Sequence, residues 1–178
     1  IPIAALVTHR FAEISQFTKL SQARCAVYPE KVHEKEGDFH FGPVIDRVQA
    51  DNPCLQLRLV LGTPGPGEHS LTKLIERPAT RTRGALRDIA IHPDDPCIFQ
   101  LSGGTTGIPK LIPRTNNDYA YNSKRAAEVV EVQPDSVLLL VLPIAHNLPL
   151  ACPGIQGFFF QGATVVVQMH YFSGFAPN

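Results

Sequence analysis

Short runs of apolar and β-branched residues recur at 3–7, 25–28, 55–61, 97–101, 137–142 and 163–167, and each reads as a strand. Between several of them the apolar positions shift to helical spacing. Phe11, Ile14, Phe17 and Leu20 follow Thr8, which is placed to cap them. Val44, Ile45 and Val48 predict a short helix ended by Asp51-Asn52-Pro53. Ser70 caps a further helix over 71–76 that stops before Pro78. Asp118 opens another that runs through Val130, with Ala126, Ala127 and Val130 on one face. Strands alternating with helices predict an α/β fold, a three-layer arrangement on a largely parallel sheet. The stretch 62–68, dense in glycine and proline, reads as a loop. So does 78–92, whose Arg81, Arg83 and Arg87, with Arg77 just before them, read as a solvated connector.

Composition narrows the function. Of the 178 residues 44% are hydrophobic, enough for one domain with a real core. Sixteen basic and sixteen acidic residues cancel, so no positive field attracts nucleic acid or anionic lipid, and neither is expected as a partner. The longest apolar runs are far too short to span a bilayer. The chain opens on an apolar run and not on Met, which places the true start upstream, and no signal peptide is visible. Cys25, Cys54, Cys97 and Cys152 form no Cys-x-x-Cys pair. They read as buried free thiols of a reducing, cytoplasmic setting, not as a disulfide framework or a zinc site.

The segment Ser102-Gly103-Gly104-Thr105-Thr106-Gly107-Ile108-Pro109-Lys110 follows the strand at 97–101. Three glycines let the backbone turn tightly and present N–H groups to an anion. Ser102, Thr105 and Thr106 add hydroxyl donors and Lys110 a positive charge, so each ingredient suits polyphosphate. A Walker A loop is a different object, because it needs Gly-Lys-Ser/Thr opening a helix directly. Here Pro109 precedes Lys110 and Pro113 follows, which argues against a P-loop NTPase. On composition alone a ligand-free glycine-rich hairpin fits equally well. The stretch 143–154 carries three prolines and Gly154 after a strand, where ligands of open α/β sheets bind. It reads as a rigid irregular turn. His146 and Asn147 are its adjacent polar pair; a satisfied turn and a site are both open. In His92-Pro93-Asp94-Asp95-Pro96 the two carboxylates read as a turn before a strand and not as a metal site.

The loop 102–110 resembles the signature loop of the adenylate-forming superfamily: acyl-CoA synthetases, luciferases and peptide-synthetase adenylation domains. The longer string from Gln100 to Thr115, continued by Asn117-Asp118-Tyr119, is similar to the free-standing 2,3-dihydroxybenzoate- and salicylate-AMP ligases of siderophore biosynthesis. Asn116 departs from that group, which usually has His there. The segments 1–14, 143–154 and 158–167 extend the likeness over nearly the whole chain, more weakly between 30 and 88.

The resemblance implies that Ser102, Thr105, Thr106 and Lys110, with the backbone at Gly103, Gly104 and Gly107, bind the ATP phosphates. It implies an aryl-acid pocket beginning at 143–154. There Asn147 meets the ortho hydroxyl and carboxylate side, and His146 shapes the pocket. Cys152 stands where salicylate-specific members have Cys and dihydroxybenzoate-specific members Ser, which leans toward salicylate; a thiol pairs weakly with a second ring hydroxyl.

The later adenine, ribose and hinge motifs and the C-terminal domain with its catalytic lysine are absent. Residues 1–178 thus read as part of the large N-terminal adenylation domain, inactive alone and exposing apolar surface that the rest would cover. The intact enzyme would use ATP and Mg²⁺ to make an aryl-AMP and pass the aryl group to the phosphopantetheine thiol of a carrier protein. The alternative is a non-catalytic nucleotide-binding or interaction module of the same fold.

Overall fold

In the computed structural model, which describes residues 1–78, 84–102, 107 and 109–168, the first helix, α1 (Phe11–Ser21), is capped at Arg10 and not at Thr8. The Glu13 carboxylate reaches back to the Arg10 N–H at 3.0 Å, so an acid three residues on chose the start. After α1 come β1 (Cys25–Pro29), β2 (Lys31–Glu34), β3 (Gly37–His40), α2 (Gly42–Asp51), β4 (Leu57–Leu61), β5 (His69–Ser70), α3 (Leu71–Ile75) and α4 (Gly84–Arg87). These elements lie in a unit of residues 7–88. Strands β1 and β4 pair in parallel with Tyr28 opposite Val60, and β5 adds to β4, again in parallel. Tyr28, Phe41, Ile45, Val48, Leu55 and Val60 form the core of this unit, with Phe11 and Ile14 of α1 packed against it. The hairpin β2–β3 was not anticipated; its alternation is only four residues deep, and Lys31, His33, Asp38 and His40 mask it.

Arg58 of β4 points to the covered side, only 7% exposed, a charge that burial penalises unless it is paired. It pairs with Asp46 and donates to the Pro66 carbonyl at 2.7 Å. Beside it the Tyr28 hydroxyl donates to Glu68 at 2.7 Å, and the Gly65 N–H donates to the same carboxylate at 2.7 Å. These bonds pin the loop 62–68, whose turn chemistry was legible in its glycines and prolines.

A second unit joins Ile1–Leu6 to the described residues of Ile89–His170. It holds β6 (Pro96–Leu101), β7 (Leu111–Thr115), α5 (Asn116–Val129), β8 (Val137–Leu140), α6 (Asn147–Ala151), α7 (Gly154–Phe160) and β9 (Thr164–Val167). Strands β6 and β7 are antiparallel, whereas β8 and β9 run parallel because the crossover through α6 and α7 reverses the chain between them. The described strands therefore make three parallel and two antiparallel pairings, a mixed α/β arrangement.

Several expectations need correction. The run 3–7 is not a strand: Ile3 makes one isolated bridge to Phe99. Pro2 has no N–H to extend a ladder and contributes only its carbonyl, which accepts from the Phe99 N–H at 2.9 Å. Helix α5 starts at Asn116, because the Thr115 hydroxyl caps it by accepting from the Asp118 N–H at 3.2 Å. The turn expected at 143–154 contains α6 and the start of α7; Pro149 fits in the first turn of α6, where its missing N–H would have no partner. In the connector 78–92, residues 79–83 lie outside the described residues and α4 occupies part of the remainder. The four thiols are free but not buried, and Cys25 is exposed.

Cys25 sits on the face of β1 and β4 turned away from Tyr28 and Val60, which also carries Val27 (59% exposed) and Leu61 (55% exposed). In the other unit Val137 and Leu139 of β8 and Val166 and Val167 of β9 are exposed as well. Neighbouring apolar strand residues left in water favour association. The 178-residue chain should self-associate, and light scattering should show dimers or larger species; a monodisperse monomer would contradict this.

The Glu68 cluster makes a second prediction. Partial burial pushes its carboxyl up, but the Gly65 N–H, the Tyr28 hydroxyl and the Arg58 guanidinium together hold it below the ordinary carboxylate range. Its contribution to stability is therefore complete above that range and is lost as pH falls through the lower folded value. Urea midpoints taken between pH 6 and 3 should fall more steeply for the native chain than for Glu68→Gln, which has no carboxyl to protonate.

Candidate active site

The ladder of β6 and β7 ends at the pair Leu101 and Leu111, and the next two residues seal the hairpin. The Ser102 N–H donates to the Lys110 carbonyl at 3.0 Å, and the Lys110 N–H donates to Ser102 Oγ at 2.9 Å. The stretch 102–110 is thus a hairpin loop with a closed neck, followed by a strand. A P-loop would be followed by a helix. Because Ser102 Oγ accepts at the neck, its own proton stays available for an anion. Lys110 is exposed, and nothing lies within 4 Å of the position a Cβ would take on Gly107. Gly103, Gly104, Thr105, Thr106 and Ile108 lie outside the described residues.

At the end of β7 the Arg114 side chain pairs with Asp118 in the first turn of α5, which holds that carboxyl below its ordinary range. The Asn116 side chain donates to the His92 carbonyl at 3.0 Å, while the Asn116 N–H reaches the Asp95 carbonyl at 3.0 Å. The Asn117 N–H donates to the Pro93 carbonyl at 2.9 Å. The segment 92–95 is therefore a turn docked on the start of α5, and an amide at 116 serves that docking. Among the described residues no three His, Cys, Asp or Glu side chains gather to hold a metal ion.

His146 caps α6: its Nδ1 accepts from the Leu148 N–H at 3.4 Å, a long bond for the exposed imidazole. Next to it Asn147 Oδ1 is buried and has no hydrogen-bond partner, the one such side-chain atom among the described residues. A buried acceptor without a donor is unfavourable by ~1–3 kcal/mol, and such an atom points to a missing partner. Cys152 lies past the other end of α6. With Pro153 it borders a groove of about 560 Å³ whose opposite wall is α5, including Tyr121, Asn122 and Arg125. Neither His146 nor Asn147 lines that groove. His146 and Asn147 thus stand at the start of the short helix α6 and Cys152 just past its end, its N–H donating to the Leu148 carbonyl at 3.3 Å.

Gly154 turns the chain into α7 with φ at +44°; a Cβ there would stand 2.2 Å from the Pro149 carbonyl, so no larger residue fits. Gly157 lets α7 approach α5, since its Cβ would lie 2.7 Å from Pro153 and 3.0 Å from the Ser123 carbonyl. The polar residues that join these segments were missed in the sequence. Gln100 and Tyr119 enter the sequence reading only as flanks of the loop, and Asn122 and Ser123 not at all, although amides and hydroxyls on a packed helix face are a usable signal.

A model of the family described as AMP-binding enzyme matches residues 2–173. A salicylyl-CoA synthase / salicylate adenylyltransferase of a Streptomyces species is 39% identical over 170 residues, 93% of this chain and 30% of that protein. The vibriobactin-specific 2,3-dihydroxybenzoate-AMP ligase of Vibrio cholerae is 37% identical over 166 residues, 93% of this chain and 29% of its own length. Among solved structures, apo MbtA of Mycobacterium smegmatis superposes with a TM-score of 0.79 at 35% identity, covering 94% of this chain and 29% of that one. The chain spans under a third of the length of each of these relatives. Matched along nearly its whole extent in both sequence and α/β fold, it belongs to the AMP-binding enzyme family.

Proposed function

We propose that this chain is the phosphate-gripping and acid-recognising portion of an ATP-dependent aryl-acid ligase of siderophore biosynthesis. The observation that carries the acid half is the buried, unpartnered Asn147 Oδ1. An amide there offers an acceptor to a phenolic hydroxyl and an N–H to a carboxylate, the two groups an ortho-hydroxybenzoate presents side by side. The sealed hairpin neck supports the other half. It leaves the Ser102 proton and the Lys110 ammonium for the β- and γ-phosphates of ATP, to which Gly103, Gly104, Thr105, Thr106 and Gly107 would add donors by residue type.

The reaction follows from what these groups can do. A carboxylate oxygen of the acid attacks the α-phosphorus; the new bond is the acyl phosphate, and the α–β bridging P–O bond breaks to release pyrophosphate. The attacking group is already ionised, so no general base is required, and the chain's part is orientation and charge neutralisation. Mg²⁺ would accompany ATP and supply further neutralisation of its phosphates. The thiol of a carrier-bound phosphopantetheine would then lose its proton and attack the acyl carbon, forming a thioester as the acyl C–O bond breaks and AMP leaves, in the cytoplasm. The catalytic lysine would come from elsewhere in the intact protein. Cys152, with a weakly pairing thiol, favours salicylate over 2,3-dihydroxybenzoate.

In ATP–pyrophosphate exchange the intact protein should turn over salicylate faster than 2,3-dihydroxybenzoate and benzoate. This 178-residue stretch alone should stay at background, and robust turnover by it would show that the remaining machinery is dispensable. Asn147→Ala should raise the KM for salicylate about tenfold, the loss of one well-placed hydrogen bond, with the KM for ATP unchanged. Cys152→Ser should shift preference toward 2,3-dihydroxybenzoate by several-fold; no shift would remove Cys152 from the pocket.

A further inference from the structure

Gln100 sits on β6 two residues before the loop neck, on the same face as Ile98, and both are buried. An amide at such a place needs a partner, and it has one: Nε2 donates to the Tyr119 hydroxyl at 2.9 Å. Tyr119, 4% exposed, packs with Ile98 and Ala151, so its ring joins the strand below the loop to α6. Two further bonds leave the same face of α5. Asn122 Nδ2 donates to the Ala151 carbonyl at 2.9 Å, and Ser123 Oγ lies 3.0 Å from Gln156 Oε1. Apolar residues at 100 and 119 would fill this space with no polar group to satisfy, so the buried pair adds geometry more than stability.

We propose that Tyr119 is a positioning residue. Through Gln100 on one side and Ala151 on the other it sets the separation between the loop that grips phosphate and the segment that carries Asn147. This rests on the ligase reading for its consequence: carboxylate and α-phosphorus must approach to about 3–3.5 Å, and misplacement by ~1 Å costs on the order of a hundredfold. Tyr119 touches neither reactant; it acts through the two segments it joins.

Tyr119→Phe tests this in the intact protein, since it keeps the ring in its core and deletes only the hydroxyl. Turnover in pyrophosphate exchange should fall about tenfold while the KM for ATP and the KM for acid stay within about twofold. The double variant Gln100→Leu/Tyr119→Phe removes both polar partners and should return the Tm to near that of the native protein without restoring turnover. If turnover recovers together with Tm, the hydroxyl matters only for stability and the inference is overturned. Amide hydrogen exchange reads the link with no ligand present. Tyr119→Phe should speed exchange at the Ser102 and Lys110 amides and in α6 together, and unchanged protection at the neck would overturn the inference whatever the substrate. Failure of the native protein to exchange pyrophosphate with any aryl acid would instead sink the ligase reading, leaving hydrogen exchange to decide the link.

Discussion

The site depends first on the closure of the β6–β7 hairpin at Ser102 and Lys110. A glycine-rich loop has many conformations to lose when it orders around an anion. Clamping both ends removes part of that loss before any ligand arrives, because the two strands already hold the neck in register. The seal also decides which groups remain free. Lys110 uses its main chain at the neck and leaves its side chain in water; Ser102 uses its oxygen as acceptor and keeps its proton. A loop that ran into a helix would present a helix N-terminus, whereas β6 is followed across this neck by the strand β7.

Helix α5 is the element against which the remainder of the site is measured. Its start is specified three times over, by the Thr115 cap, by the Arg114–Asp118 pair and by the 92–95 turn docked on Asn116 and Asn117. Its buried face then carries Tyr119, Ser123 and Ala127 in succession. Gly157 allows α7 to lie close against that face, and Gly154 allows the chain to turn out of α6 in time to do so. Small residues at these two positions replace side-chain volume with backbone contact, which makes the spacing of the segments hard to alter.

Across the described residues charge and apolar surface are managed differently. The buried Arg58 has its partners within its own unit, in Asp46 and the Pro66 carbonyl, so it is satisfied locally. The exposed faces of β1–β4 and β8–β9 have no such closure, and the equal numbers of acidic and basic residues leave no net repulsion to keep copies apart. Every relative reported above is more than three times as long as the stretch it shares with this chain.

What was legible in the sequence was local. The apolar runs marked β1, β4, β6, β8 and β9 because strand residues must be apolar wherever they meet a core. Helix α2 and the Ser70 cap of α3 followed from periodicity and from short-range side-chain bonding, and the loop 102–110 and the stretch 143–154 stood out by residue type. Even the errors at helix starts were small, since Arg10 and Thr115 lie within three residues of the expected positions. Tertiary structure decided what depends on partners far along the chain: which strands pair and in which direction, that Gln100 meets Tyr119 nineteen residues later, that Asn122 reaches the Ala151 carbonyl, and that Asn147 is left with a buried oxygen and no donor. A residue's type states which bonds it can make. Whether a partner comes within 3 Å is settled only when the separate elements pack, because hydrogen bonding and burial act over a few ångströms of space and are blind to distance along the chain.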